Sequence, residues 1–218
     1  MLELLWQLCW PVLFYGLMID LASILLDEYS VIVYTFVGAV LAIPVLFWRY
    51  RKIQNLKVIR QTSDCWREFT GRDGAFCILA GITSCGAVNT LIIVSPLSEL
   101  FPGFSQVAKI LYEPSMFWQI VTMGVAVPAA EEVAFRGLGF VKLRENCPFW
   151  QAALLSSALF GVYHGNVLQG IYGFIMGMIF AWAMERKNTI AAPFFMHMAA
   201  NLTSVAVMAL GKVSGVGE

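Results

Sequence analysis

The chain has 218 residues, 59% apolar and 13% charged, and its mean hydropathy of +0.73 excludes an ordinary water-soluble domain. Fourteen Lys plus Arg balance fourteen Asp plus Glu, so no net basic charge points to nucleic acid, and so low a polarity excludes a disordered chain. At about 20 residues per crossing the chain accommodates about seven membrane spans and no separate soluble domain.

Apolar runs suited to membrane helices fall at residues 5–26, 31–48, 74–95, 116–141, 149–164, 167–184 and 189–210. The expected fold is therefore an all-α polytopic transmembrane bundle of about seven spans, with six to eight compatible with the pattern. The runs are too long for the short alternating strands of a membrane barrel. The first run lacks a basic start and an A-x-A-like cleavage site, and at about 22 residues it reads as a retained helix and not as a signal peptide. The linker between the fifth and sixth runs, around Gly165 and Asn166, is barely a turn.

Basic loops stay on the cytoplasmic side, which predicts the orientation. Arg49, Arg51, Lys52, Lys57, Arg60, Arg67 and Arg72 follow the second run, Lys142 and Arg144 the fourth, and Arg186 and Lys187 the sixth. With a cytoplasmic N-terminus these eleven of the fourteen basic residues fall inside, leaving Lys109 and Lys212 outside and Arg136 within a helix. A multi-pass cell-membrane protein is expected. Trp10, Trp48, Trp66, Trp118 and Trp150 lie near predicted helix ends, as an interfacial aromatic belt requires. Between Glu99 and Pro114, Phe101, Phe104, Val107, Ile110 and Leu111 are spaced like one face of a helix lying on the outer surface, although a loop capping the bundle fits the same segment. Cys9, Cys65, Cys77, Cys85 and Cys147 form no CxxC pair and read as packing residues. No internal repeat or low-complexity stretch is present.

Several polar groups interrupt the apolar runs: Asp20, Asn89, Glu131, Glu132, Arg136, His164, His197 and Asn201. A charge at the bilayer centre costs about 2.5–3.5 kcal/mol even on the lenient insertion scale, so three on one helix would cost about 8–10 kcal/mol unpaired. At about 100° per residue, Glu132 and Arg136 lie roughly 40° apart on their helix, whereas Glu131 and Arg136 differ by roughly 140°. Arg136 is thus expected to pair with Glu132, leaving Glu131 without a local partner. Pro128 lacks an N–H and is expected to free the carbonyl of Gly124, bending the helix one turn before the carboxylates. His164 closes the fifth run, and His197 and Asn201, four residues apart, share one face of the last. With a rise of about 1.5 Å per residue, Glu131, His197 and His164 lie ~15, ~12 and ~22 Å from the inner ends of their spans, all in the membrane interior. The plain structural reading is an intrahelical ion pair, a neutral buried glutamic acid and two packing histidines. Convergence of these groups from three helices favours a site.

The set Glu131-Glu132-x-x-x-Arg136, Phe160-x-x-x-His164 and His197-x-x-x-Asn201, in that order on successive membrane helices, resembles the CPBP family, the CAAX proteases and bacteriocin-processing enzymes also called ABI, which are intramembrane glutamic endopeptidases. The resemblance covers about residues 116–210 and implies a catalytic core there, with residues 1–115 supplying N-terminal membrane helices and the outer amphipathic segment of the same integral-membrane domain. It also implies that Glu131 is a general base activating a water shared with His164. His197 and Asn201 would stabilise the oxyanion, and Glu132 with Arg136 would orient the site. Amide hydrolysis needs such a base, and donors aimed at the developing oxyanion in a low-dielectric place. No Ser, Cys or Asp joins the histidines at motif spacing, which gives no support to nucleophilic catalysis.

No cofactor is expected. The alternative is a zinc-dependent protease holding the metal with His164, His197 and Glu131, against which stand the absence of an HExxH helix and the poor ligand Asn201 in the i+4 position from His197. Two further readings are a non-catalytic membrane immunity or scaffold protein of the same fold, and a transporter or proton channel with Glu, His and Asp20 as relay groups. The expected partners are the lipid bilayer and a membrane protein or peptide substrate, prenylated if the enzyme is of CAAX type, with no nucleic acid. A wide cavity open to the cytoplasmic leaflet would suit a lipidated tail.

Overall fold

The computed structural model describes residues 2–54, 69–101 and 103–213. Lys57, Arg60, Cys65, Trp66 and Arg67 lie outside the described residues. In chain order the helices are α1 (Leu2–Leu25), α2 (Val31–Gln54), α3 (Gly71–Val94), the short α4 (Leu97–Leu100), α5 (Phe104–Tyr112), α6 (residues 116–144), α7 (Phe149–Tyr163), α8 (Val167–Lys187) and α9 (Ala191–Val213). Every regular element among the described residues is helical, and α1, α2, α3, α6, α7, α8 and α9 follow the seven apolar runs. Five of them, α1, α2, α3, α8 and α9, are long and apolar enough to cross a membrane unaided. The 15-residue α7 is shorter, and α6 carries the buried charges. The result is a polytopic membrane bundle.

Local chemistry sets the helix ends. Thr70 and Asp73 form a reciprocal capping box at the start of α3, with Thr70 N–H donating to Asp73 Oδ2 at 2.9 Å and Asp73 N–H to Thr70 Oγ1 at 3.3 Å. The α7–α8 turn closes through Gly165 at φ +66°, followed by Asn166, whose Oδ1 accepts from the N–H groups of Leu168 and Gln169. Asn188, at φ +48°, ends α8 in the left-handed region.

Packing follows the inverted logic of a membrane protein. Large apolar side chains such as Leu13, Leu17, Leu79 and Leu91 face outward, whereas Gln119, Thr122, Glu131, Glu132, Arg136 and His197 are buried. α1 pairs with α2, α3 with α9 and α7 with α8, while α6 runs through the middle and touches α1, α2, α7, α8 and α9. Residues 130–141 of α6 are buried without interruption. At one end of the bundle Arg144 grips Glu185 through two bonds of 2.9 and 2.8 Å, and Lys187 pairs with Asp73, tying α6, α8 and α3 together.

α6 is not a regular α-helix. Its α-turns Met116–Trp118, Val127–Glu131 and Val141–Arg144 alternate with the π-helical stretches Gln119–Ala126 and Glu132–Phe140. Such wide turns concentrate at functional sites. They also change the outcome at Pro128. Val127 N–H reaches back five residues to Thr122 O, so the next carbonyl in that register is Met123, not Gly124. Pro128 has no N–H to give it, and Asn201 Nδ2 donates to Met123 O instead at 2.8 Å.

The segment between α3 and α6 packs over the bundle through a helix and not a loop. α5 is a helix, and it is also a cap: Val107, Leu111 and Tyr112 line the central cavity. Gln119 Nε2 holds the following turn by donating to Tyr112 O at 3.0 Å and Pro114 O at 2.6 Å.

Candidate active site

A partly open cavity of about 420 Å³ lies inside the bundle. Glu131 from α6, His164 from the end of α7, and His197 and Asn201 from α9 all line it. The three motif segments, distant in sequence, therefore meet at one cavity. Glu132 and Arg136 do not line it, and their fully buried side chains form the layer beneath. Asp20 stands apart, exposed near the end of α1, and Asn89 lines the cavity with its amide donated to Cys85 O at 3.0 Å.

Glu132 is the hub of the buried layer. Its Oε1 accepts from Arg136 Nη1 at 3.0 Å and from His197 Nδ1 at 2.8 Å. The first contact is the i,i+4 pair expected from the sequence. The second spans two helices and sets the tautomer of His197: with Nδ1 as donor, Nε2 is turned toward the cavity, 3.8 Å from Glu131 Oε2. His164 is held the same way, Nδ1 donating to Phe160 O at 2.8 Å, so its Nε2 is likewise left to the cavity.

Two phenylalanines complete the support. The Arg136 guanidinium carbon lies 4.2 Å from the Phe160 ring centre and 5.2 Å from that of Phe180. The same rings flank the histidines: Phe180 stacks on His197 at 4.9 Å, and Phe160 meets His164 edge-on at 4.8 Å. Two glycines on α8 admit this cluster. A Cβ on Gly177 would lie 2.9 Å from Arg136 Nη2, and one on Gly173 would lie 3.3 Å from the His164 ring. Phe180, Gly173 and Gly177 were not among the expected site residues, although the G-x-x-x-G spacing of Gly173 and Gly177 is the usual sign of a close helix contact in membranes.

Charge accounting constrains the site. Two carboxylates against one guanidinium leave one negative charge in the membrane interior, and a single proton on Glu131 or on His197 cancels it. The 3.8 Å between Glu131 Oε2 and His197 Nε2 places the two candidates for that proton side by side. Among the described residues no three His, Cys, Asp or Glu side chains are arranged to hold a metal ion. His197 donates Nδ1–H to Glu132 and keeps Nε2 toward Glu131.

The fold and the site together define a class: a helical membrane protein with a carboxylate–imidazole cluster beside an intramembrane cavity. Residues 113–203 match the family model described as "Type II CAAX prenyl endopeptidase Rce1-like". A protein of Bacillus subtilis (strain 168) named "Putative membrane peptidase YdiL" is 34% identical over 94 residues, which cover 43% of this chain and 38% of that protein. The chain thus aligns with well under half the length of that curated relative. Residues 113–203 are thus similar to an Rce1-like family model and to a protein named as a membrane peptidase. No solved structure matches the chain significantly.

Proposed function

We propose that this protein is an intramembrane endopeptidase that hydrolyses a peptide bond of a membrane-associated polypeptide with a glutamate-activated water and no cofactor. The observation that carries the reading is the position of Glu131 on the cavity wall with His197 Nε2 at 3.8 Å and the His164 ring on the same cavity. A water there would give one proton to Glu131 and direct its other O–H to His164 Nε2, leaving an oxygen lone pair for the scissile carbonyl. Because His197 Nδ1 is already bonded to Glu132, donation from Nε2 to the oxyanion requires the doubly protonated ring. Asn201 has one amide N–H committed to Met123 O and offers its second to the same oxyanion. The proton taken by Glu131 then passes to the leaving nitrogen, the C–N bond breaks, and an amine and a carboxylic acid that keeps the second water proton are released, the acid ionising in water. Glu132 and Arg136 act as positioning residues through His197.

Support for a peptidase also comes from the Rce1-like match over residues 113–203. The test is a comparison of membrane proteomes from wild-type cells and cells carrying Glu131→Gln. An uncut precursor should accumulate in the variant. Unchanged processing together with unimpaired biological function would sink the protease in favour of a scaffold or immunity role.

A further inference from the structure

The cavity and the basic loops lie at opposite ends of the bundle. Its lining comes from the C-terminal halves of α1 and α3 (Tyr15, Ile19, Asn89, Ile92), the N-terminal halves of α2 and α6, α8 mainly from its N-terminal half, the end of α7, the middle of α9 (His197, Ala200, Asn201, Ser204) and the cap α5. The other end carries Arg49, Arg51, Lys52, Arg72, Lys142, Arg144, Arg186 and Lys187 and supplies no lining residue. Between the two ends α6 is buried continuously from residue 130 to 141, with the Glu132–Arg136 pair at zero side-chain exposure, which puts a packed polar layer between the cavity and the described basic residues. The cavity end carries Asp27, Glu28, Glu99 and Glu113, and the basic residues there are Lys109 and Lys212. Basic loops are retained in the cytoplasm, and acidic residues contribute little to that choice.

From this juxtaposition we propose that the site is entered from the non-cytoplasmic face of the membrane, and that its substrate is an uncharged, largely apolar stretch of a polypeptide exposed on that face, not a lipidated C-terminus arriving from the cytoplasm. The inference rests on the protease reading above. The wall chemistry agrees with it. Ile19, Ile92, Val107, Leu111 and Met176 give an apolar surface, Asn89 and Gln169 supply neutral hydrogen-bonding groups for a peptide backbone, and no Lys or Arg among the described lining residues is available to hold a terminal carboxylate.

Two measurements test it and separate its failure from that of the protease reading. The first uses single cysteines in an otherwise cysteine-free chain, with a membrane-impermeant maleimide applied to intact cells. Asp27→Cys and Glu113→Cys, at exposed positions of the cavity end, and Gln169→Cys, on the cavity wall, should be labelled before permeabilisation. Asn146→Cys, exposed at the basic end, should be labelled only afterwards. The reverse pattern overturns the inference, as does labelling of both end positions with Gln169→Cys left unreactive. The second measurement keeps all native cysteines: wild-type protein and Glu131→Gln are placed in sealed vesicles of known orientation, and an unprenylated apolar peptide with a quenched fluorophore is added on one side or the other. Cleavage lost in Glu131→Gln and seen only from the cavity end supports the inference. Cleavage only from the basic end overturns it while leaving the protease intact. Glu131-independent cleavage, or none from either side, removes the protease reading, and with it the substrate assignment.

Discussion

His197 is bound to Glu132, with Nδ1 donating to Oε1 at 2.8 Å, and that bond turns the other ring nitrogen toward Glu131. The two adjacent carboxylates thereby take different tasks on one helix. Glu132 is sealed, paired with Arg136 and used to hold an imidazole, whereas Glu131 meets the cavity. A carboxylate that fixes the tautomer and orientation of a histidine is a recurrent catalytic device.

Glu131→Gln preserves volume and removes the base. Peptide cleavage should fall by about 10²–10⁴-fold. Thermal stability in detergent should not decrease, because the substitution also removes a charge that burial disfavours. A variant that cleaves at the wild-type rate would refute the general-base role.

Arg136→Met leaves Glu132 buried beside His197 with no guanidinium, and should destabilise the protein by about 3–5 kcal/mol. The double variant Glu132→Gln/Arg136→Met should recover part of that loss, because no uncompensated charge remains. Additive losses in thermal unfolding would show that the pair is not coupled. Activity should stay low in both variants, since His197 keeps only a neutral acceptor at position 132 in the second and loses the neighbouring guanidinium charge in the first.

Gly177→Ala puts a methyl group 2.9 Å from Arg136 Nη2 and 3.0 Å from Ser157, where both neighbours are packed, and should cost about 1–3 kcal/mol. Gly173→Ala meets the His164 ring at 3.3 Å and the Gly161 Cα at an ordinary 3.6 Å. It should lower kcat with a smaller effect on stability, because a displaced catalytic ring affects rate steeply. Equal effects on kcat and on thermal stability at Gly173 would argue that the His164 position is merely a packing matter.

Asn201→Ala removes the donor to Met123 O, a carbonyl that Pro128 cannot serve. A loss of about 1–3 kcal/mol is expected, together with reduced cleavage. If Asn201 acted on the oxyanion alone, the melting temperature would stay at the wild-type value.

Exhaustive chelation should leave cleavage intact in detergent-solubilised protein. Complete loss of activity restored by zinc would replace the glutamate–water mechanism with the His164, His197 and Glu131 metal site.

Short-range features were legible from the residues alone. The seven apolar runs correspond to seven helices because a run of that length must satisfy its backbone within itself in a membrane. The Glu132–Arg136 contact was readable because an i,i+4 pair depends only on helical geometry. That Glu131, His164, His197 and Asn201 line one cavity agrees with the spacing and depth of the motifs.

Other features needed the tertiary structure. The carbonyl that Pro128 strands is Met123 and not Gly124, because α6 winds as a π-helix there, a winding set by its packing and invisible in residue identity. His197 and Asn201 share a face, yet one reaches Glu132 and the other Met123, since partners across helices depend on the rotation and register of α9 against α6. Composition and charge thus determined by themselves that this is a helical membrane protein with a buried polar cluster, because those constraints act within single segments. Which nitrogen faces which carboxylate, and the placement of the cavity opposite the basic loops, were decided only by how the helices pack, because each is a distance between segments that the chain does not encode locally.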